Sequence, residues 1–156
     1  MYRVALGYDL HRLKRAEKSS VICGGIKIPC EFIIDGAHSD GDVVFHALTD
    51  ALFSVIGKDI GVEFPNTELE NLNRSSNEFL YYAFQSIIDS YRIVNIDIVV
   101  ICDQPKISSY ALAIRQNIAK YVQMEIENIT IRGKTTEQTN LLTIQAYANV
   151  LFQKIK

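Results

Sequence analysis

No apolar run in this sequence is long enough to cross a membrane; the longest, residues 96–102, has the length of a strand and is broken by Asp97. Neither sign of charge dominates. The chain has 16 Lys and Arg against 18 Asp and Glu, for a formal net charge of −2, and the signs are interspersed. Nothing in that balance attracts nucleic acid. The first residues, through Asp9 and His11, lack the charged-then-apolar layout of a secretory leader. Cysteine is scarce and odd in number: Cys23, Cys30 and Cys102 form no Cys-x-x-Cys pair. That argues against a disulfide frame or a thiolate metal site, and for a reduced, cytoplasmic protein whose thiols act as small buried hydrophobes. Also absent are the phosphate-gripping P-loop, the Gly-x-Gly-x-x-Gly fingerprint, the nucleophile elbow and the zincin signature. No repeat, low-complexity tract or linker divides the chain. With 156 residues, 48% of them hydrophobic, the expectation is one domain, residues 1–156, that can bury a core.

Residues 2–9 alternate, Tyr2, Val4, Leu6 and Tyr8 on one face and Arg3, Ala5, Gly7 and Asp9 on the other, which predicts a strand. Two further extended residues bring Asp9 and His11 to the same side. Residues 14–20 are expected to form a charged loop, and residues 21–29 a hairpin turning on Gly24-Gly25. Residues 42–56 predict a helix, apolar nearly all round, that stops near Gly57. Residues 58–67 show no period. A helix is expected from Ser75 to about Ser90, a central strand over 92–102, a turn over 103–106 and a helix from Ser108 to about Val122. A strand over 126–132, a polar loop over 133–140 and a closing helix over 141–155 complete the reading. The result is an α/β sandwich, a mixed or mostly antiparallel sheet of three main strands and a side hairpin, covered by helices. Its exposed side suits burial in an oligomer.

Asp42, His46 and Asp50, spaced i, i+4 and i+8, share the one narrow polar face of the apolar helix. A polar stripe inside a domain must be paired, bind a ligand or face a cleft. Asp9-x-His11 from an extended segment and His46 from a helix offer three donors and leave a fourth position open, the arrangement of a catalytic metal. Mixed nitrogen and oxygen donors suit zinc or another divalent transition metal better than calcium. The plainer alternatives are a hydrogen-bonded core histidine at His46 and a helix cap in Asp40-Gly41-Asp42. In the metal reading, Asp42 or Asp50 orients the imidazole. His38 is a separate candidate for substrate contact. Lys134-Thr-Thr-Glu137 follows a strand, so its side chains emerge where α/β sheets often hold ligands.

Gly7-Tyr-Asp9-Leu-His11, Gly24-Gly-Ile-x-Ile-Pro29, the stretch Ala37-His-Ser-Asp-Gly-Asp-Val-Val-Phe-His46-Ala-Leu-Thr-Asp50-Ala-Leu, Asp59-Ile-Gly-x-x-Phe-Pro65-x-Thr67, Gln104-Pro-Lys106 and Lys134-Thr-x-Glu137 occur in this order. Together they resemble the 2-C-methyl-D-erythritol 2,4-cyclodiphosphate synthase family of non-mevalonate isoprenoid biosynthesis. The resemblance implies a ferredoxin-like α/β fold, a homotrimer with active sites between subunits, and a phosphorus–oxygen lyase. Its substrate, 4-diphosphocytidyl-2-C-methyl-D-erythritol 2-phosphate, closes into a cyclic diphosphate and releases CMP. The family's ligands for one zinc per site correspond to Asp9, His11 and His46, while Glu137 corresponds to the contact for Mg2+ or Mn2+ on the diphosphate. His38 and Thr135 take catalytic roles on the transferring group. Asp9, Leu10, His11, His38, Ser39, Asp59, Ile60, Gly61, Phe64, Pro65, Asn66, Thr67 and Glu68 correspond to the substrate-binding positions. Cys102, Asp103, Gln104, Pro105, Lys106, Ile107, Lys134, Thr135, Thr136 and Glu137 correspond to the cytidine side.

Two departures stand out. The family's Phe-Pro-Asp-Thr-Asp is here Phe64-Pro-Asn66-Thr67-Glu68, and after Glu137 this sequence is roughly six residues shorter than the family pattern and lacks its phosphate-anchoring arginine. One account is a ligand-ordered loop near Gln138-Thr139 that the sequence omits, favoured because such loops order on binding. The other is a metal- and nucleotide-binding trimer with impaired catalysis. A zinc phosphoesterase, in which water attacks, is the remaining alternative.

Overall fold

The computed structural model describes residues 1–36, 39–65 and 74–155. In chain order the elements are β1 (Tyr2–Cys23), β2 (Ile26–Asp35), α1 (Val43–Val55), the single turn α2 (Ile60–Glu63), α3 (Ser76–Ile87), β3 (Tyr91–Ile101), α4 (Ala111–Val122), β4 (Ile129–Lys134) and β5 (Thr143–Lys154). Short 3-10 turns, Ile107–Tyr110 and Ile126–Asn128, lead into α4 and β4. The strands form one mixed sheet in the order β2-β1-β5-β3-β4. Only β3 and β4 are parallel.

The closing segment is a strand rather than the expected helix. Ile144, Ala146, Ala148, Val150 and Phe152 are buried, and the residues between them face the other way. Ala, Gln and Leu favour helix in isolation, but hydrogen bonding to β1 on one side and β3 on the other outweighs that preference. The charged stretch 14–20 is likewise strand and not loop. It pairs with β2, slips register between Arg15 and Ser19, and carries Lys18 at φ 51°. Leu13 and Val21 face the core and the charges face water, so charge here marks an exposed face of a hairpin arm. The hairpin does turn on Gly24-Gly25, with Cys23 opposite Ile26.

α1 forms the centre of the core, and its ends follow from the sequence. Asp42 caps its start, Oδ1 accepting the N–H groups of Val44 at 3.1 Å and Phe45 at 3.0 Å. The same carboxylate accepts the amides of Gly24 at 2.8 Å and Gly25 at 2.6 Å, which ties the hairpin turn to the helix. Gly57, at φ 74°, closes the other end with a bond from its N–H to Ser54 O at 3.1 Å. Between these caps, Val43, Val44, Phe45, Ala47, Leu48, Ala51, Leu52 and Phe53 are all but sealed from solvent. α1 packs on β1, β5 and α3. It lies so close to β1 that a Cβ on Gly7 would stand 1.9 Å from the carbonyl oxygen of Ala47. On the opposite face of β1, Tyr2, Val4, Leu6, Tyr8 and Leu10 remain exposed.

Candidate metal and nucleotide site

The close approach at Gly7 sets the geometry of the site. Ala5, Gly7, Asp9 and His11 share the face of β1 that looks towards the helices, so Asp9 and His11 project beside His46 of α1. Asp9 Oδ2 lies 3.0 Å from His11 Nε2 and 3.5 Å from His46 Nδ1. One donor atom from each of the three side chains falls within 4.8 Å of the others. Asp9 Oδ2 and His11 Nε2 are shut away from solvent, and neither has a hydrogen-bond partner among the described residues. Two buried polar atoms aimed at each other without bonding leave a desolvation cost that a shared cation would relieve. The donor set therefore fits a divalent transition metal.

His46 is prepared for that task. Burial lowers its pKa, with His11 adding to the effect and the Asp9 carboxylate opposing it. The neutral imidazole is the form that ligates metal. Its second ring nitrogen, Nε2, meets Ser39 Oγ at 3.1 Å. With Nδ1 turned to Asp9, this leaves Nε2–H to donate to the hydroxyl and fix the ring. Among the described contacts it is Ser39, not Asp42 or Asp50, that orients the imidazole. Asp42 is fully buried as a cap. Asp50 Oδ2 accepts the Tyr8 N–H at 3.2 Å on the β1 edge that faces α1. Burial raises the Asp50 pKa against the pull of that N–H bond, and the charges of Asp59 and Asp9 raise it further.

Asp40 is a residue the sequence reading placed on the wrong helix. Its carboxylate accepts the Ser76 N–H at 3.0 Å, the Ser76 hydroxyl and, at 3.4 Å, the Ser75 hydroxyl. It therefore caps α3 from a distance and clamps the segment carrying Ser39. The sequence signal was faint: Ser75 stands at the cap position of α3 but makes no side-chain cap bond of its own.

Beyond α1, Asp59 caps the α2 turn by accepting the Gly61 N–H at 2.7 Å. Ile60, Gly61 and Pro65 belong to the same segment. The Phe64 ring packs 4.6 Å from that of Phe79, whose ring in turn stands 5.7 Å from His46. The expected site residues His38, Asn66, Thr67 and Glu68 lie outside the described residues.

The residues expected on the cytidine side come together at the parallel ends of β3 and β4. Ile101 is opposite Lys134, and Cys102 N–H donates to Lys134 O at 3.0 Å. Cys102, Asp103, Gln104, Pro105, Lys106 and Ile107 line a cavity of about 290 Å³ with Gly133, Lys134 and Thr135. The Gln104–Pro105 peptide is cis. Burial pushes the Cys102 thiol up to about 12, so it stays a thiol. Thr136 and Glu137 follow in a tight turn that leads to Thr143. The Thr135 hydroxyl donates to Glu137 Oε1 at 2.8 Å, and Glu137 is not part of the Asp9–His11–His46 group.

Residues 2–153 match the family model of the YgbB family. The curated 2-C-methyl-D-erythritol 2,4-cyclodiphosphate synthase of Fusobacterium nucleatum is 36% identical over 163 residues, covering 100% of this chain and 99% of that protein. The bifunctional enzyme IspD/IspF of Wolbachia sp. subsp. Brugia malayi is 37% identical over 99% of this chain, which spans only 40% of that protein's length. A solved 2C-methyl-D-erythritol-2,4-cyclodiphosphate synthase, in a CDP-bound form, superposes with a TM-score of 0.89 at 31% identity, over 97% of this chain and 100% of that one. The CDP complex of the Plasmodium falciparum IspF does so with a TM-score of 0.85 at 33% identity, over 99% of this chain and 97% of that one.

Proposed function

The chain belongs to the YgbB family, and from that premise we propose that it cyclises 4-diphosphocytidyl-2-C-methyl-D-erythritol 2-phosphate to 2-C-methyl-D-erythritol 2,4-cyclodiphosphate. A 2-phosphate oxygen forms a new bond to the β-phosphorus of the same molecule. The bond from that phosphorus to the oxygen it shares with the α-phosphate breaks, and CMP leaves with the electron pair, the outcome of a phosphorus–oxygen lyase. The observation that carries this reading is the pair of buried atoms, Asp9 Oδ2 and His11 Nε2, that face each other and His46 with no hydrogen bond from the described residues to satisfy them.

Attack and departure occur within one substrate, so the protein's main task is to hold it folded back. Such orientation supplies ~7–11 kcal/mol in the best model reactions. Asp9, His11 and His46 would hold zinc, and Glu137 would meet Mg2+ or Mn2+ on the diphosphate, a carboxylate-plus-phosphate donor set typical of that hard cation. Bound there, the ions supply positive charge to the phosphoryl oxygens. Ser39 keeps the His46 ring in place. His38 and Thr135 hydrogen-bond the transferring group. Asp59 accepts from sugar hydroxyls, while Ile60, Gly61, Phe64 and Pro65, with Asn66, Thr67 and Glu68, hold the methylerythritol. The cavity of residues 102–107 takes cytosine, and Lys134 and Thr136 flank its phosphates.

The same reading makes the protein a homotrimer with active sites between subunits, each chain a single domain over residues 1–156. In its support, the triad and the nucleotide cavity form two separate groups on one chain, and β1 exposes the apolar row Tyr2, Val4, Leu6, Tyr8 and Leu10. No described helix is long and apolar enough to cross a membrane, and the free thiols Cys23, Cys30 and Cys102 suit the cytoplasm. Phosphorus NMR of protein and substrate with Zn2+ and Mg2+ tests the function. Cyclic diphosphate with CMP is expected. A linear phosphorylated product would instead mean a zinc phosphoesterase, and no turnover would mean a binding trimer.

A further inference from the structure

β3 and β4 end level with each other, Ile101 beside Lys134. Asp103 and Thr136 each lie two residues past those ends, and their side chains meet. The Thr136 hydroxyl donates to Asp103 Oδ2, and the Gln138 N–H donates to Asp103 Oδ1 at 3.4 Å. One carboxylate thus grips the chain on both sides of Glu137, at the hydroxyl before it and the amide after it.

The backbone between those grips is unusual. Glu137 has φ 53° and Gln138 φ 61°, two successive residues with side chains in the left-handed region that such residues rarely visit. A conformation of this kind persists only where its surroundings over-determine it. Some of the constraint is internal. Thr139 N–H donates to Thr136 O and Asn140 N–H to Thr136 Oγ1, both at 3.1 Å, and Glu137 N–H donates to Thr135 Oγ1 at 3.3 Å. Those bonds travel with the turn. The two made by Asp103 anchor it to another strand end, beside the cavity that Asp103 itself lines. Both Asp103 oxygens accept hydrogen bonds from this turn, which gives the carboxylate a task beside the cytidine contact implied by resemblance.

We propose that Asp103 is a positioning residue: it locks the Thr136–Gln138 turn so that the Glu137 carboxylate is presented to the divalent cation of a nucleoside diphosphate in the adjoining cavity. This rests on the reading of Glu137 given above. Glu137 needs such a lock because it is exposed at the surface on a turn, and a mobile carboxylate loses binding entropy each time it captures a cation.

The test is the Mn2+ dependence of CDP binding to the full zinc-loaded chain, followed by titration calorimetry. Asp103→Ala is expected to raise the half-saturating Mn2+ concentration about ten-fold, as loss of a ligand-orienting partner does, with zinc content unchanged and a clearly smaller loss of CDP binding when Mn2+ is absent. Asp103→Asn, which retains one acceptor, should fall between. Thr136→Val should reproduce the loss with the carboxylate intact, which keeps the test open if Asp103→Ala does not fold. Adding Gln138→Gly to Asp103→Ala should recover part of the loss, because glycine accepts a positive φ without strain. An unchanged Mn2+ requirement in Asp103→Ala and Thr136→Val, beside a raised one in Glu137→Gln, overturns the positioning role alone. An unchanged requirement in Glu137→Gln overturns the cation reading of Glu137 and this inference with it. Equal loss of CDP affinity with and without Mn2+ makes Asp103 a direct nucleotide contact and also overturns it.

Discussion

The two halves of the site are built in opposite ways. Asp9, His11 and His46 stand on a long strand and a sealed helix pressed together at Gly7, so backbone packing aims the donors. On the proposed nucleotide side, Cys102 to Ile107 and Thr135 to Glu137 stand past the ends of β3 and β4, and side-chain hydrogen bonds hold the Thr135–Glu137 turn. Rigid elements suit three ligands that must share one small ion, where a displacement of half an ångström matters. Loops suit a flexible diphosphate and a base that arrive from solution.

Variants on either side sharpen this contrast. The largest effect is expected from His46→Ala, which should abolish zinc content and turnover together while the chain stays folded by circular dichroism. A folded variant that keeps its zinc would falsify the ligand assignment. Gly7→Ala comes next. Its Cβ meets backbone, Ala47 O at 1.9 Å and Ala51 N at 2.5 Å, so thermal or urea unfolding should show a loss of about 3 kcal/mol, at the upper end of overpacking costs, along with weaker zinc binding. Gly133→Ala, beside the 102–107 cavity, is tight against the Ile107 side chain alone, with Cβ at 3.0 Å and the Ile107 backbone no nearer than 3.8 Å; it should cost about 1 kcal/mol and leave zinc untouched. Equal costs for the two glycines would erase the distinction.

Asp42 tests the rigid side through pH. Burial raises its pKa from the ordinary 3.8 to about 6, although backbone N–H groups of Phe45, Gly25 and Gly24 pull it down. The folded state therefore holds this proton more tightly than the unfolded chain. The contribution of Asp42 to stability is full below about pH 4, falls as pH rises towards 6, and is flat above. Urea unfolding across pH 4–8 should show wild type losing up to about 3 kcal/mol relative to Asp42→Asn over that window. A difference independent of pH would mean that Asp42 titrates alike in both states. The smallest effect is expected at Ser39. Ser39→Ala removes the partner of His46 Nε2 and should weaken zinc affinity by about ten-fold in a chelator competition, with little change in stability. No change would leave the imidazole held by packing against Phe79 alone.

The legibility of the sequence divides along similar lines. Asp9-x-His11 and His46 could be read as a metal set because strand and helix periods are local rules, and the apolar surround of α1 announced its burial. Glycine pairs at a hairpin and a glycine past a helix are local too, and both turned where expected. β5 was misread because its residues favour helix by themselves, and what overrides them is two flanking strands that no window of sequence contains. The arm of β1 was misread because charge suggested a loop, while the pairing partner lies in β2. Asp40 and Asp103 escaped for the same reason. Each carboxylate satisfies donors on a segment more than thirty residues away, and nothing at the acidic residue itself announces the partner.

The place of β5 also bears on how the molecule assembles. A strand near the end of the chain fills the gap between β1 and β3, so Tyr2 pairs with Gln153 and His11 with Ile144. Pairings this distant in sequence form late and slow a domain's folding, because a long loop must close before they repay its entropy. During synthesis β1 has no neighbour on that side until α1, α3, β3, α4 and β4 have all emerged ahead of β5. Asp9 and His11 sit in the part of β1 that pairs with β5, so a nascent chain should gain its metal affinity only after β5 has emerged and inserted.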